Sequence, residues 1–368
     1  MRILHIAAYD RNIGDSIAIV NARKAWEERN SSIEWAELDI GQFWHPAVTM
    51  EHFIQAFIKI STQFDAILVG GGGLVEYGGY EKSPTKYKLP FNKELLQIVK
   101  IPVYFHAVGI NIFRGGIDYS EEAKNNLQET IDHSAGFSVR NDGSYEKLKN
   151  WIKLDVKNVS VIADPGMQYL EGFVDKKDTV KVAGIQPAFN GSEGINVKRF
   201  KSKANIEFLS EYTKDFTLFP HVLKDYNRLK AIPIIDSNEF TSSYQKTNQL
   251  GKFLELYKKI DFTVAMRGHG QLITIGMGLP GLYFSTQDKV RDFSLLNGFE
   301  NYNIDIEEEN WKEKLDEKVK MLTQPNSQFL KDWYTVRDQQ VAKWNQATQE
   351  FVNKCIDKYE MSSMSLGE

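Results

Sequence analysis

Short apolar runs of strand length alternate along the chain with longer segments whose apolar residues recur at helical spacing. In the first half, 66–73 (AILVGGGG) and 101–110 (IPVYFHAVGI) are typical of buried strands, whereas 50–64 and 120–134 are typical of amphipathic helices. Ser120 stands where a helix cap is expected. Because parallel strands need crossover connections, this alternation predicts a mostly parallel sheet covered by helices on both faces.

The same alternation starts again near residue 172, after a polar stretch. Strand-like runs follow at 180–189, 216–222, 231–236, 262–267 and 280–285, and 328–359 forms one long helical pattern with scattered aromatics. We therefore predict an α/β protein with two domains, each built on a parallel sheet, that face each other across a cleft. The predicted boundaries are 1–172, 173–326, and 327–368 for a C-terminal helix and tail that pack back on the first domain.

Composition narrows the function classes. The 368 residues are 42% hydrophobic and 26% charged, with a formal net charge of −4, which argues against a general nucleic-acid or anionic-membrane binder. No run approaches the roughly 18 apolar residues of a membrane span, and no signal-peptide pattern opens the chain, so we expect a cytoplasmic location, free or at the inner face of the membrane. The single Cys355 excludes an internal disulfide.

Cofactor motifs are also missing from the sequence. The glycine run at 70–73 lacks the Gly-Lys-Ser/Thr of a Walker loop, and no Gly-x-Gly-x-x-Gly follows the first strand. No group of Asp, Glu and His residues has the spacing of metal ligands. We expect neither an organic cofactor nor a metal ion.

Two loops in the first half stand at the carboxyl ends of predicted strands, where ligands bind in open α/β sheets. Asn12 to Asp15 (NIGD) either forms an ordinary helix cap, with Asp15 as the cap, or faces a ligand. Gly70 to Gly73, and above all Gly71, Gly72 and Gly73, form either a tight packed turn or a loop whose N–H groups meet a ligand.

Charged and titratable residues end three further strands. Arg140 in SVRND forms either a salt bridge or a grip on a carboxylate or phosphate. His221 in LFPH is either structural or ligand-facing. Arg267 and His269 in MRGHG precede a helix expected to begin at about Gly270, where an anion is favoured. They form either an anion-binding acid–base corner or a surface arginine beside a satisfied core histidine.

The ordered set of motifs resembles the polysaccharide pyruvyl transferase family. NIGD, GGGGL, AVGIN, SVRND, ADPG, FPH, MRGHG, GMGLPGLYF and DKVRDFSLLNGF occur in the family's order over about residues 10–300. The family's SVR arginine falls on Arg140, and its Arg-Leu-His motif falls on Arg267, Gly268 and His269, with glycine in place of the usual leucine. Its GxGxxP motif reads AVGINIF here, without the proline.

The resemblance implies a GT-B-like fold, with two Rossmann-like domains facing a cleft. It also implies transfer of pyruvate from phosphoenolpyruvate to two hydroxyls of a sugar, giving a cyclic ketal. Phosphoenolpyruvate would serve as co-substrate and a saccharide as acceptor, lipid-linked or not. His269, Arg267 and Arg140 would be catalytic, and Arg140, Arg267, Gly268, His269 and His221 would bind the donor. The acceptor would lie near Asn12, Asp15 and Gly71 to Gly73.

Two rival functions are compatible with the same sequence. The first is a GT-B glycosyltransferase whose arginines hold the diphosphate of a nucleotide sugar. The second is a non-catalytic saccharide- or anion-binding relative, for which the glycine at position 268 is the motivating departure. The sequence does not name the acceptor sugar, the hydroxyl pair or the oligomeric state.

Overall fold

The structure, a computed structural model, describes residues 1–9, 12–44, 48–112, 118–168, 174–186, 188, 216–218, 221, 250–285, 288–306 and 308–365. Its strands are β1 (Arg2–Ala7), β2 (Glu34–Asp39), β3 (Ala66–Gly70), β4 (Val75–Glu76), β5 (Val103–Val108), β6 (Ile110–Asn111), β7 (Gly136–Arg140), β8 (Val159–Ile162), β9 (Ala183–Gln186), β10 (Phe216–Leu218), β11 (Phe262–Ala265), β12 (Gly281–Ser285) and β13 (Asn303–Asp305). Its helices are α1 (Ile13–Arg29), α2 (Met50–Ser61), α3 (Lys93–Ile98), α4 (Glu121–His133), α5 (Ser144–Glu146), α6 (Leu250–Tyr257), α7 (Gly268–Met277), α8 (Asp288–Leu296), α9 (Trp311–Thr323) and α10 (Gln328–Ser365). Short 3₁₀ turns occupy Ile40–Trp44, Pro165–Met167 and Glu300–Tyr302, and a π-helical turn, Lys147–Ile152, continues α5.

The first sheet contains six parallel strands in the order β2-β1-β3-β5-β7-β8. Every residue of β3 and β5 is buried, as expected where helices cover both faces. Ser120 caps α4 as predicted, accepting a hydrogen bond from the N–H of Ala123 at 3.2 Å. The chain moves from β1 outward to β2 and returns to the other side of β1 for β3. This reversal places a topological switch point at the carboxyl ends of β1 and β3.

The second sheet shows the same kind of reversal in its strand order. Its described strands are parallel and run in the order β10-β9-β11-β12-β13, so the reversal lies between β9 and β11. The carboxyl ends there are Gln186 and the segment that leads from Ala265 into α7. The predicted strand at 231–236 lies outside the described residues.

The two sheets meet through helices at these carboxyl edges. Ile13 and Ile17, at the start of α1, are buried in one apolar cluster with Tyr257 of α6 and with Ile273 and Met277 of α7. The first turn of α1 and the first turn of α7 therefore face each other across the junction. Two parallel sheets that face a cleft in this way confirm the predicted GT-B-like fold class.

A second junction lies beside it and is polar. Asn141, just after β7, donates from Nδ2 to Oδ1 of Asn297 at 3.2 Å, and Asn297 Nδ2 donates back to the carbonyl of Asn141 at 3.0 Å. Both asparagines are buried. Reciprocal bonds between buried amides fix the relative position of the two units because a shift would break both bonds where water does not replace them.

The C-terminal helix α10 spans both units. Its first half reaches the core of the second sheet through Leu330 and Trp333, and its second half buries four side chains against Ile3 and Trp26 of the first: Phe351, Val352, Cys355 and Ile356. The prediction that this helix packs back on the first domain is confirmed. Over the part of the chain that the structure describes, no helix has both the length and the apolar character needed to cross a membrane.

Candidate active site

The helix that carries the MRGHG motif begins earlier than the sequence predicts. Helix α7 starts at Gly268, two residues before the expected Gly270, with Arg267 as its N-cap and the first helical bond from Gln271 N–H to the Arg267 carbonyl at 3.1 Å. The side chain of Gln186, at the end of β9, accepts a hydrogen bond from the Arg267 N–H at 2.8 Å and fixes this start. His269 therefore lies in the first turn, where N–H groups have no intrahelical acceptor and the helix dipole favours an anion.

The His269 ring lies directly against the start of α1. A Cβ added to Gly14 would be 2.1 Å from Cγ of His269, so only glycine permits this approach. Within the described residues, Nε2 of His269 is buried and has no hydrogen-bond partner. The alternative of a satisfied core histidine is therefore wrong. Burial lowers the pKa of His269 to about 4, so the free imidazole is neutral at pH 7.

Asn12, not Asp15, caps α1. Oδ1 of Asn12 accepts a hydrogen bond from the Gly14 N–H at 3.0 Å, and this corrects the alternative in which Asp15 is the cap. Asp15 occupies the first turn instead, and its Oδ1 lies 3.9 Å from Nδ1 of His269. That distance is too long for a hydrogen bond, but the carboxylate favours the protonated imidazolium.

Arg140 lies at the end of β7, and two carboxylates hold it. Its Nε donates to Asp142 at 2.6 Å and its Nη1 donates to Asp164 at 3.1 Å, and all three side chains are buried. The salt bridge that the sequence allowed for Arg140 therefore exists. Burial disfavours the charged guanidinium, but the two aspartates outweigh it and raise the pKa of Arg140. Its guanidinium rests on Gly109, whose added Cβ would be 2.4 Å from Cζ, which explains the glycine in AVGIN.

Lys289 is a site residue that sequence reasoning missed. It lines one small cavity together with Arg140, Asp142, Gly268 and His269. Burial, and then the charge of Arg140, lower the pKa of Lys289 to about 8, and Arg267 acts in the same direction. Lys289 follows strand β12 by four positions, on the same sheet edge as Arg267. The search for charged residues at the carboxyl ends of strands, which identified Arg267, would also have found Lys289 after strand β12.

His221 lies behind this group. It is buried, its Nε2 is 2.6 Å from the hydroxyl of Tyr257, and its carbonyl accepts a hydrogen bond from the N–H of Ile13 at 3.5 Å. Burial, followed by the charges of Arg267 and His269, lowers its pKa well below the usual value. His221 is thus near the site, but it does not line the cavity that holds His269.

The glycine run packs tightly beneath α1. A Cβ on Gly71, whose φ is +91°, would be 2.7 Å from Ile19; one on Gly72 would be 3.0 Å from Asp15, and one on Gly73 would be 2.6 Å from Asn111. These contacts explain the glycines as a close-packed turn. Contact of these glycines with an acceptor stays a prediction. Gly72 packs against Asp15, which lies beside His269.

The cavity among these side chains is small. It measures about 20 Å³, roughly the space of one water molecule. A much larger cavity, of about 720 Å³, lies beyond Asp142 and is lined by other residues. We place the chemistry at the small cavity because the titratable groups converge there. Over the described ranges, no group of three or more His, Cys, Asp or Glu side chains is placed to hold a metal ion.

Gly14→Ala tests the contact between the two units. We expect the variant to lose about 1–3 kcal/mol of unfolding free energy in urea, because the added methyl overpacks the His269 ring. Gly251→Ala is the control: it is also helical, but nothing lies within 4 Å of its added Cβ, so helix propensity should stabilise it by up to about 1 kcal/mol. Equal stability of the two variants would show that His269 does not press on α1.

Two facing parallel sheets with titratable and cationic side chains at their switch points define a protein of the GT-B-like class. The sequence model of the family described as "Polysaccharide pyruvyl transferase" matches residues 4–288. The chain belongs to the polysaccharide pyruvyl transferase family, and the suspected resemblance is confirmed. Comparison with curated proteins yields no sequence match.

Solved structures show the same fold at low identity. The UDP-GlcNAc 2-epimerase from Neisseria meningitidis bound to UDP-GlcNAc is 13% identical, with a TM-score of 0.55 over 97% of this chain and 100% of that one. A putative UDP-N-acetylglucosamine 2-epimerase from Listeria monocytogenes is 14% identical, with a TM-score of 0.55 over 98% and 97%. The S. aureus MnaA–UDP co-structure is 14% identical, with a TM-score of 0.53 over the same shares. At these identities the similarity concerns the fold alone.

Proposed function

We propose that the protein transfers pyruvate from phosphoenolpyruvate to two hydroxyls of a saccharide, forming a cyclic ketal and releasing phosphate. The observation that carries this proposal is the buried, unpartnered Nε2 of His269 at a helix N-terminus, in one cavity with Arg140 and Lys289. A titratable group beside two cations suits a reaction that moves a proton onto an anionic substrate. Membership of a transferase family supports the same reaction class.

The donor carries a carboxylate and a phosphate, so it needs several cations or N–H groups. Asp142 and Asp164 use two of the five N–H groups of Arg140, and three are left for the donor. Lys289 adds a second charge, and the first-turn N–H groups of α7 add oriented dipoles. Arg267 contributes its charge to the same region, because Arg140 and Arg267 both act on Lys289.

Ketal formation begins with a proton on the methylene carbon of phosphoenolpyruvate. The C=C π electrons take that proton, and the positive character left on the central carbon draws in one sugar hydroxyl, which loses its proton. The C–O bond to phosphate then breaks, and the second hydroxyl adds to the same carbon and loses its proton. His269 is the proposed proton donor. Its pKa of about 4, which already includes the effect of Asp15, makes it neutral in the free protein, so the bound anion has to raise that pKa.

The small size of this cavity implies that the two units separate when substrate enters. Phosphoenolpyruvate has ten non-hydrogen atoms and does not fit into about 20 Å³. The contact between Gly14 and His269 lies at the junction of the units, so their separation would open the cavity on the side of α1. Closure around a bound donor would then exclude water from the positive centre.

Phosphoenolpyruvate binding, measured by isothermal calorimetry, tests the donor assignment. We expect Lys289→Met to weaken binding by roughly 10- to 100-fold, as for loss of a charged hydrogen bond. Lys157→Met is the control, because Lys157 is 71% exposed and forms its ion pair with the exposed Asp155. We also expect proton uptake on binding, seen as a dependence of the binding heat on the buffer's ionisation enthalpy. UDP-GlcNAc binding in place of phosphoenolpyruvate would favour the glycosyltransferase alternative, and donor binding without phosphate release on any glycoside would favour the non-catalytic one.

A further inference from the structure

A second cavity lies outside the proposed reaction centre. It measures about 720 Å³ and opens between the first unit, at Asp118 and the π-helical turn Lys147–Ile152, and helix α8 of the second unit. Gly143 and Asp292 line it, whereas their chain neighbours Asp142 and Phe293 line the cavity that holds His269. The two cavities are therefore adjacent. The volume lies within the usual range for small-ligand sites, about 300–1,000 Å³.

Three large apolar side chains are exposed on the walls of this cavity. Trp151 is 59% exposed on one side, and Leu295 and Leu296 are 57% and 47% exposed on the other. Single exposed apolar residues are ordinary on protein surfaces. Here, however, three large exposed apolar side chains line one concave surface to which both units contribute. Such a concentration marks a binding surface.

Trp151 is held in place. It belongs to a π-helical turn, a rare geometry that is frequent at functional sites. The next residue, Ile152, is buried, and Lys153 ends the turn with a left-handed backbone, φ +67°. The indole N–H donates to Oδ1 of Asp118 at 3.2 Å. The ring is thus tied at its polar edge and leaves its apolar surface accessible.

The polar groups around the ring decide which occupant fits. Lys147, Lys153 and Asn150 supply donors, and Asp118 and Glu146 supply acceptors. An alkyl chain in this cavity would bury such groups without hydrogen bonds, which is costly. With Asp292 and Lys124 the wall carries three carboxylates and three ammonium groups, so it has no excess positive charge that would favour a strongly anionic ligand. A neutral pyranose fits both features, because its C–H face can stack on an indole while its hydroxyls bond to mixed donors and acceptors.

We propose that this cavity is a saccharide subsite, which binds a sugar unit of the glycan acceptor beyond the unit that receives pyruvate. The assignment of this sugar unit to the acceptor rests on the proposed function. Adjacency to the His269 cavity at Asp142–Gly143 lets one glycan occupy both places. The acceptor is accordingly an oligosaccharide or longer glycan, with Trp151 as the recognition residue for its second unit.

Glycan binding to Trp151→Ala, Trp151→Phe and the wild type tests the subsite without any need for turnover. An array of polysaccharide-derived oligosaccharides identifies ligands, and calorimetry measures their affinities. We expect at least one tri- or tetrasaccharide to bind about tenfold more weakly to Trp151→Ala, while Trp151→Phe keeps most of the affinity because the ring remains. Ile58→Ala is the control, since Ile58 is also apolar and 48% exposed but lies on α2, away from the cavity.

Several results would overturn the subsite. They are no oligosaccharide binding at all, equal affinities in Trp151→Ala and wild type, and binding of dodecyl maltoside without binding of maltotetraose, which would indicate an alkyl occupant. A change of oligomeric state in Trp151→Ala would assign the same surface to contact between copies. Failure of the proposed function alone would give a different result. Glycan binding would still depend on Trp151, but no phosphate would be released from phosphoenolpyruvate.

Discussion

His269→Ala is expected to lower turnover by roughly 10²- to 10⁴-fold while changing phosphoenolpyruvate affinity little. In the proposed reaction the proton moves only in the transition state, whereas Lys289, Arg140 and the first turn of α7 would hold the donor in the ground state. His269→Gln keeps a hydrogen-bonding side chain but cannot deliver a proton, so it should be nearly as inactive. Steady-state measurements of phosphate release at saturating donor separate kcat from KM for these variants.

The pH dependence gives an independent check on His269. A general acid must be protonated, so its rate falls as pH rises through its pKa. The free protein has a His269 pKa of about 4, and the donor's charge should raise it in the complex. The alkaline loss in kcat should therefore lie at higher pH than the loss in kcat/KM. Near-normal turnover of His269→Ala at saturating donor would leave MRGHG as an anion cradle without proton chemistry.

Periodicity in the sequence predicted the two parallel sheets, because strands buried on both faces read as continuous apolar runs. The carboxyl-end rule then selected Arg140, Arg267 and His269 from local pattern alone. Helix starts were less predictable: α7 begins at Gly268 because Gln186, on another strand, holds the Arg267 N–H. That bond joins residues 81 positions apart, and no local pattern contains it.

Contacts between the two units were the least predictable feature. The missing Cβ of Gly14 accommodates His269, although 255 residues separate the two along the chain. The sequence alone allows a helix cap or a ligand-facing loop for NIGD, which contains Gly14, and a packed turn or a ligand loop for the run 70–73. The structure explains both as close packing. A glycine in a sequence indicates either backbone conformational freedom or the close approach of another group. Only the fold shows which group approaches.

Arg140→Met is expected to cost about 3–5 kcal/mol of unfolding free energy. The change leaves the carboxylates of Asp142 and Asp164 buried without the cation that both of them contact. Burial already raises the pKa of Asp164, even beside Arg140. Without the guanidinium, Asp164 should take up a proton well above the usual pH for an aspartate. Urea unfolding at several pH values measures both effects, and the stability loss should be smaller at low pH, where protonation removes the unpaired charge.

The stability loss must be separated from any role of Arg140 in donor binding. Arg140→Met combined with Asp142→Asn and Asp164→Asn removes both buried charges together with their cation. Replacing a whole buried ion pair is far less costly than breaking it, so this triple variant should recover most of the lost stability. If it folds and still fails to bind phosphoenolpyruvate, the guanidinium contacts the donor directly. If it folds and binds the donor normally, Arg140 only ties β7 to the turn at Asp164. An Arg140→Met single variant as stable as the wild type would refute the buried ion-pair cluster itself.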